Sequence, residues 1–429
     1  MKRFAKIIHE DLNAGGGSER FTFTLIEALQ EMGFIIDLET ITCPDWEWIR
    51  KSFGNSYSPL IRDINVVNLK DILGSSIKWN PKFPLQKSNY ENSENEYDLI
   101  INAHGDIFPY FKYGSENVDN RSKTKMITYC HYPLVPQLVK NNSYSNYLKK
   151  ILRHYFPEVK KEYGNLPFEK IISCALSNFN QMMKNTLVLT NSYFSKKAIE
   201  NIYGDRVFSV LYPPVDVQYF RENTSYSKDR ENRIIVIARY SPDKEIESAL
   251  KIANILKDMK VDFEMVIVGN LSEDNYDYYL SLEKAKYVMG LDKKVKLFKN
   301  THLTDLISIM NNCKFLLHPT KLEPFGISIV EGMSSGLIPI VPFIGGNTEF
   351  VPPHLRYRNE TEAASIIAKN MDVPHKVRVD ISRSVEIFSK KNFKRNVRDI
   401  IERILGEVYV YPTLPVDTKN SKLQNDYKK

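Results

Sequence analysis

Two carboxylates with seven residues between them bound the stretch Glu323-Pro-Phe-Gly-Ile-Ser-Ile-Val-Glu331, and Gly332, Gly336, Gly345, Gly346 and Glu349 follow closely. If a helix spans Phe325 to Ser335, its first amides are unpaired donors beside Glu323, and Glu331 lies about two turns further along. A carboxylate accepts two hydroxyls of a sugar at once, while a diphosphate is held by a helix N-terminus and by cations. The pair therefore suits a polyhydroxylated, phosphorylated ligand. The competing reading is structural, with Glu323 as a first-turn acid favoured by the helix dipole and Glu331 as a solvated helix residue.

Three further groups have the residue types such a ligand needs. Asn13-Ala-Gly15-Gly16-Gly17-Ser18-Glu19-Arg20 joins a first strand to a helix whose apolar face includes Phe21, Leu25, Ile26 and Leu29. Glycines there let backbone N–H groups approach an anion at a helix N-terminus, although a plain connection N-capped by Ser18 reads equally well. The spacing is neither the dinucleotide fingerprint nor a P-loop with its lysine. Arg239 and Lys244 flank a turn containing Pro242 just past an apolar strand, so both project from a sheet's carboxyl edge; alone they read as surface cations. Breaking a sugar–phosphate bond leaves negative charge on the diphosphate, which two cations and a helix N-terminus stabilise. His131 follows another apolar strand and precedes Pro133, as a ligand contact or as a hydrogen-bonded structural histidine.

Positioning these groups takes two cores. The chain has 429 residues, 42% hydrophobic and 26% charged, more than one core normally supports. No run approaches the ~18 to 20 uninterrupted apolar residues of a membrane helix, and the N-terminus leads straight into His9-Glu10-Asp11 with no secretory cleavage site. A cytoplasmic location follows as the expectation. Cys43, Cys130, Cys174 and Cys313 form no C-x-x-C pair and read as reduced, mostly buried thiols. Of the net charge of +7, Lys419, Lys422, Lys428 and Lys429 less Asp426 supply +3 in the tail, and the remaining +4 is too diffuse for a nucleic-acid binder.

Short β-branched runs alternate with helical periodicity, the pattern of parallel α/β sheets. The first half predicts strands over Arg3–Ile8, Ile35–Thr40, Asn65–Leu69, Tyr97–Ala103, Met126–Cys130, Leu187–Asn191 and Phe208–Leu211. The second restarts with Arg233–Ala238, Phe263–Val268, Val295–Phe298, Phe315–His318 and Ile338–Val341, five strands of a second doubly wound domain. The paired prolines of Tyr212-Pro-Pro-Val-Asp-Val-Gln-Tyr-Phe220 forbid helix continuation and mark the boundary between them as extended chain. Residues 81 to 96 read as a loop, and the chain past Gly406 as a poorly ordered tail.

Taken in order, Asn13 to Arg20, Tyr129-Cys-His-Tyr-Pro133, Thr190-Asn-Ser192, Leu211 to Asp216, Arg239-Tyr-Ser-Pro-Asp-Lys244 and Glu323 to Glu331 resemble the retaining family 4 glycosyltransferases of GT-B fold over nearly the whole chain. Within that family the chain is most similar to the branch containing the eukaryotic α-1,2-mannosyltransferase of lipid-linked oligosaccharide. The resemblance implies an α/β, GT-B architecture of two facing Rossmann-like doubly wound parallel-sheet domains. Residues 1–211 would form the acceptor side, 212–387 the nucleotide-sugar side, 388–406 a helix returning to the first domain, and 407–429 a flexible tail.

It also implies roles. Gly16 and Gly17 would present amides near the donor phosphates and sugar, opposite Arg239 and Lys244 on the diphosphate. Glu331 would hold the ribose hydroxyls, and Glu323 with the amides of Phe325 and Gly326 the transferred sugar. His131 would sit beside the reacting carbon as a sugar contact rather than a base, and Gly269, Phe298, Lys299, Asn300 and Thr301 would line the nucleobase. Same-face attack, in which the leaving phosphate deprotonates the acceptor, needs no protein nucleophile. A double displacement would require a carboxylate under the anomeric carbon, for which Glu323 is the candidate.

The implied function is retaining hexosyl transfer, with mannose favoured, from GDP-mannose or another nucleotide sugar to a lipid-linked glycan. Neither a metal ion nor another cofactor is expected. Transfer from a UDP-sugar to a soluble acceptor, and a catalytically silent sugar-nucleotide- or glycan-binding protein, are the alternatives. Residues 142 to 164 interleave Tyr144, Tyr147, Leu148, Ile151 and Tyr155 with Lys149, Lys150, Arg153, Lys160 and Lys161, which suits a peripheral contact with an anionic membrane or a core-packed helix. Two departures stand out: Glu245 follows Lys244 where many relatives have glycine, and the membrane helix of the eukaryotic relative is lacking from the first domain.

Overall fold

The computed structural model describes residues 2–53 apart from 14 and 41, then 60–66, 97–105, 124–137 apart from 135, scattered positions from 176 to 184, and 186–224 and 230–406. Cys174, the loop of residues 81 to 96, the aromatic and basic segment of residues 142 to 164, and the tail beyond Gly406 lie outside these residues. No helix among the described residues is long and apolar enough to cross a membrane.

Two wholly parallel sheets organise the chain. The first comprises β1 (Arg3–Ile8), β2 (Phe34–Thr40), β3 (Ile61–Val66), β4 (Leu99–Asn102), β5 (Lys125–Cys130), β6 (Leu187–Thr190) and β7 (Val207–Val210), in the order β3-β2-β1-β4-β5-β6-β7. The second comprises β8 (Arg233–Ile237), β9 (Glu264–Gly269), β10 (Val295–Lys299), β11 (Phe315–Leu317), β12 (Ile338–Pro342) and β13 (Arg356–Tyr357), in the order β10-β9-β8-β11-β12-β13. In both, the strand order reverses beside the first strand, at β1/β4 and β8/β11, and a crevice opens there at the carboxyl ends. The two doubly wound sheets are the GT-B arrangement expected from the sequence.

The differences from the expected strands have physical causes. The third strand covers Ile61–Val66 rather than Asn65–Leu69, because β3 is an edge strand with only partly buried side chains and so lacks a continuous apolar run. The second sheet has a sixth strand, β13, whose two residues are too few to show a period. The prolines at 213 and 214 lead through an isolated bridge between Val215 and Ser389 into a short helix, Val217–Glu222, so the boundary segment is extended only as far as Asp216.

Four helices frame the cleft: α1 (Gly17–Glu31), α2 (Tyr193–Tyr203), α3 (Ile327–Ser334) and α4 (Lys390–Leu405). Helix α1 buries Phe21, Leu25, Ile26 and Leu29 against the first sheet. Helix α4 is the late helix expected from about Phe388, and it starts at Lys390 because the Ser389 hydroxyl accepts the N–H of Asn392 as its cap. Its buried Phe393, Val397, Ile400 and Ile401 join the core of the first sheet, although the chain reaches α4 through the second. Cys130 and Cys313 are buried, and Cys43 is exposed.

Candidate functional site

The loop after β8 is held from below. Tyr240 is fully buried, and its hydroxyl lies 2.9 Å from the carbonyl oxygen of Ile267 and 3.0 Å from that of Phe298, tying the loop to β9 and β10. A single 3-10 turn, Pro242–Lys244, then brings Lys244 Nζ to 3.4 Å from Glu323 Oε2 and 3.9 Å from Asp243 Oδ2. His318 Nε2 lies 3.4 Å from the same Glu323 oxygen, though without hydrogen-bond geometry. Burial by itself would raise the Glu323 carboxyl, but the Lys244 ammonium and His318 outweigh it and hold the group well below the ordinary carboxylate range. Glu323 is therefore a fixed anion at neutral pH. Arg239 stands on the rim, with 58% of its side chain exposed and Nη2 3.7 Å from Asp243.

Glu245 accounts for one departure from the relatives. Its φ of +48° is left-handed, a conformation that favours glycine, and its carboxylate accepts the N–H of Lys321 at 2.7 Å. That bond compensates for the backbone and joins the cation loop to the segment leading into Glu323.

Helix α3 begins at Ile327, not at Phe325, because Gly326 takes φ +101° as its N-cap residue and breaks the helical path. The Phe325 ring packs with Tyr212, Phe350 and Phe388 at centroid separations of 5.8, 5.3 and 5.1 Å, so that side chain belongs to the core. Gly345 and Gly346 run alongside this segment. The N–H of Gly346 donates to the Glu323 carbonyl at 2.8 Å, and a Cβ on Gly346 would lie 1.9 Å from the Pro324 carbonyl oxygen.

On the first sheet, the start of α1 corrects one expectation. The N–H of Gly16 already donates to the Glu19 carboxylate, as does the hydroxyl of Ser18, so that amide is engaged within the turn rather than left for a phosphate; glycine has no side chain to return the bond. The N-cap is Gly16 rather than Ser18, which lies inside the helix. The N–H groups of Gly17 and Ser18 belong to the first turn and have no acceptor within α1.

Three histidines cluster beside this turn at the ends of adjacent strands. His9 follows β1, His104 follows β4 and His131 follows β5. His104 Nδ1 lies 3.5 Å from His9 Nε2, and its Nε2 lies 3.2 Å from Glu10. His131 Nε2 lies 3.1 Å from the Ala103 carbonyl, which places the proton on that nitrogen and leaves Nδ1 to accept. Burial, with the neighbouring His104, lowers its pKa to about 4, so the imidazole is neutral at pH 7. Among the described residues no hydrogen bond joins His131 to the second sheet.

Among the described residues, three contacts between the two halves bear on the site. A Cβ on Gly17 would lie 2.7 Å from Ile327 Cδ1, so the first turns of α1 and α3 abut. Arg20 donates to the carboxylate of Glu331. Arg20 lies three residues beyond Gly17 and Glu331 four beyond Ile327, so the two helices advance in the same sense and their N-termini lie together. The third contact is Glu349, whose carboxylate accepts the N–H groups of Tyr193 and Phe194 at 3.1 and 2.8 Å and the Tyr212 hydroxyl at 2.8 Å. It thereby caps α2 from the opposite half.

Of the residues singled out in the sequence, Lys244 and Glu323 meet directly, and Gly17, Phe325, Gly326 and Glu331 surround the junction of α1 and α3. Gly269, Phe298, Lys299, Asn300 and Thr301 form a separate group at the ends of β9 and β10, joined to the cation loop through Tyr240. Asn300 has φ +53° and donates its N–H to Gly269 at 2.9 Å. Gly269 has a packing role as well, since a Cβ there would lie 1.8 Å from the Ala238 carbonyl oxygen. Arg20 and Glu349 received no role from the sequence. Each is a charged residue whose partner is 311 or about 150 positions away, a separation no local pattern reports.

Residues 220–365 match the family model described as "Glycosyl transferases group 1". The chain is 22% identical to the Dictyostelium discoideum GDP-Man:Man(3)GlcNAc(2)-PP-Dol alpha-1,2-mannosyltransferase, covering 93% of this chain and 84% of the relative. It is also 22% identical to the Homo sapiens enzyme of the same name, covering 92% and 86%. The fold is similar to that of a glycosyltransferase from Rickettsia africae ESF-5, at TM-score 0.64, 17% identity and coverage of 95% and 100%. It is similar too to that of Anabaena HepE in complex with UDP, at TM-score 0.63, 16% identity and coverage of 94% and 100%.

Proposed function

We propose that the chain, a glycosyltransferase of GT-B architecture with a group 1 glycosyl transferase domain over residues 220–365, moves mannose from GDP-mannose to a lipid-linked glycan with retention of configuration. The observation that carries this reading is the convergence of the α1 and α3 N-termini beside the Lys244–Glu323 contact. Two helix N-termini and a lysine make a pocket for a diphosphate, and two nearby carboxylates accept sugar hydroxyls.

In this reading Lys244 and Arg239 bind the diphosphate and take up the charge that develops as the glycosidic bond to phosphate breaks. The free first-turn amides of α1 and α3 add to that field. Glu323 holds hydroxyls of the transferred mannose, and its permanent negative charge keeps it an acceptor only. Glu331 holds the ribose diol. His131, neutral with Nδ1 unprotonated, accepts a hydroxyl of the sugar and is not the acid or base. The departing phosphate oxygen takes the acceptor proton on the face it leaves, which yields retention without a protein nucleophile. Charge neutralisation rests on protein cations, so chelation of divalent metal leaves turnover unchanged.

Thermal shift against GDP-mannose, UDP-glucose and ADP-glucose, followed by transfer assays on a dolichyl-linked oligosaccharide, tests the reading. A ligand that binds only the folded state raises the melting temperature. GDP-mannose alone is expected to do so, with Lys244→Ala and Glu331→Ala each abolishing the shift while leaving the unliganded melt in place. A shift with UDP-glucose and none with GDP-mannose would replace the donor, and unaltered shifts in both variants would remove the site.

A further inference from the structure

We propose that Arg20 is a positioning residue for the donor's ribose: from α1 of the first half it holds the carboxylate of Glu331 on α3 of the second, so ribose recognition depends on the two halves being closed on each other. This rests on Glu331 being the ribose-binding group. Arg20 Nη1 donates to Oε1 of Glu331, with 29% and 7% of the two side chains exposed. A carboxylate that dry has few water partners, and its orientation is set by whatever protein group it meets. The guanidinium takes one oxygen and leaves Oε2, with the spare lone pair of Oε1, for a vicinal diol. The abutting Gly17 and Ile327, one turn earlier on both helices, fix the distance over which Arg20 reaches. If the halves separate, Arg20 and Glu331 part and the carboxylate loses its aim.

A purely structural salt bridge would make a different prediction. It would stabilise the closed cleft for every ligand alike, whether or not the ribose hydroxyls were present. The test therefore measures discrimination, by isothermal titration of GDP, 2′-deoxy-GDP and 3′-deoxy-GDP into wild-type protein, Arg20→Met, Arg20→Lys and Glu331→Gln, with UDP and its deoxy forms in parallel. A hydroxyl donating to a buried carboxylate contributes about tenfold to a hundredfold in affinity, the preference expected of wild-type protein for the ribose form. Arg20→Met should lose most of that preference while binding the deoxy forms nearly as wild type does. Arg20→Lys should restore only part, because an ammonium lacks the planar fork that orients a carboxylate. Melting of each variant without ligand confirms a folded protein.

Full wild-type discrimination in Arg20→Met, with discrimination lost in Glu331→Gln, would overturn the proposal and leave the ribose assignment standing. Discrimination retained in Glu331→Gln would overturn that assignment itself, and the positioning role with it.

Discussion

A methyl group on Gly17 should stabilise or leave unchanged the half that carries it, yet impair the enzyme. The backbone of Gly17 is not in the left-handed region, so alanine is conformationally acceptable, and at a helical position it is favoured over glycine by up to about 1 kcal/mol. The new Cβ would nevertheless lie 2.7 Å from Ile327 Cδ1 and 3.8 Å from its Cγ1. Carbon atoms pack at about 3.5 to 4.0 Å, so the shortfall is about 1 Å across the line where α1 meets α3. Overpacking of this kind costs about 1 to 3 kcal/mol, met either by an unfavourable Ile327 rotamer or by a wider cleft. Charged to the closed state, that is about tenfold to a hundredfold in kcat/KM for the donor. The assay is steady-state kinetics with a melting curve for Gly17→Ala, Ile327→Val and the double variant. Ile327→Val deletes the offending Cδ1, so the double variant should recover most of the lost kcat/KM. Unaltered kinetics in Gly17→Ala, or no recovery in the double variant, would refute the reasoning that the two helices close on each other here.

Three other outcomes follow from the same geometry. Gly269→Ala drives a Cβ to 1.8 Å from a backbone carbonyl oxygen, so its melting temperature should fall sharply, and a wild-type melt would contradict the close approach of β8 and β9. Glu349→Gln removes the charge that caps α2 from the other half and should lower stability by about 1 kcal/mol while moving the unfolding of the two halves apart in calorimetry; one unshifted transition would count against that bridge. His131 takes up its proton only near pH 4 in the folded protein but near 6.5 when unfolded, so the unfolded state binds more protons between those values and stability is lost as pH falls through that window. His131→Gln, whose amide still donates to Ala103, should flatten part of that loss in urea titrations from pH 4 to 7, and an identical pH slope would deny the buried neutral imidazole.

Much of the architecture was legible along the chain. Central strands such as β8 and β9 are buried on both faces, so past their first residue they appear as apolar runs, and the order of such runs with intervening helices announces a parallel sheet. Edge strands were harder: β3 presents partly exposed side chains, and β13 is two residues long. At the site, Lys244 and Glu323 stood out because loops at the carboxyl ends of adjacent strands concentrate charge there. The start of α3 was misplaced by two residues because only the φ of Gly326 shows that the chain turns before it coils.

Residue type and local spacing determined the secondary elements, the two sheets and the set of groups able to hold a sugar nucleotide, because hydrophobic period and glycine or proline placement act over a few residues. Which of those groups remain available was decided only by tertiary packing. Glu19 occupies the amide of Gly16, Arg20 reaches across to Glu331, and Glu349 caps a helix in the other half. Such pairings depend on how two separately folded cores approach, and electrostatic attraction between residues hundreds of positions apart leaves no period along the chain.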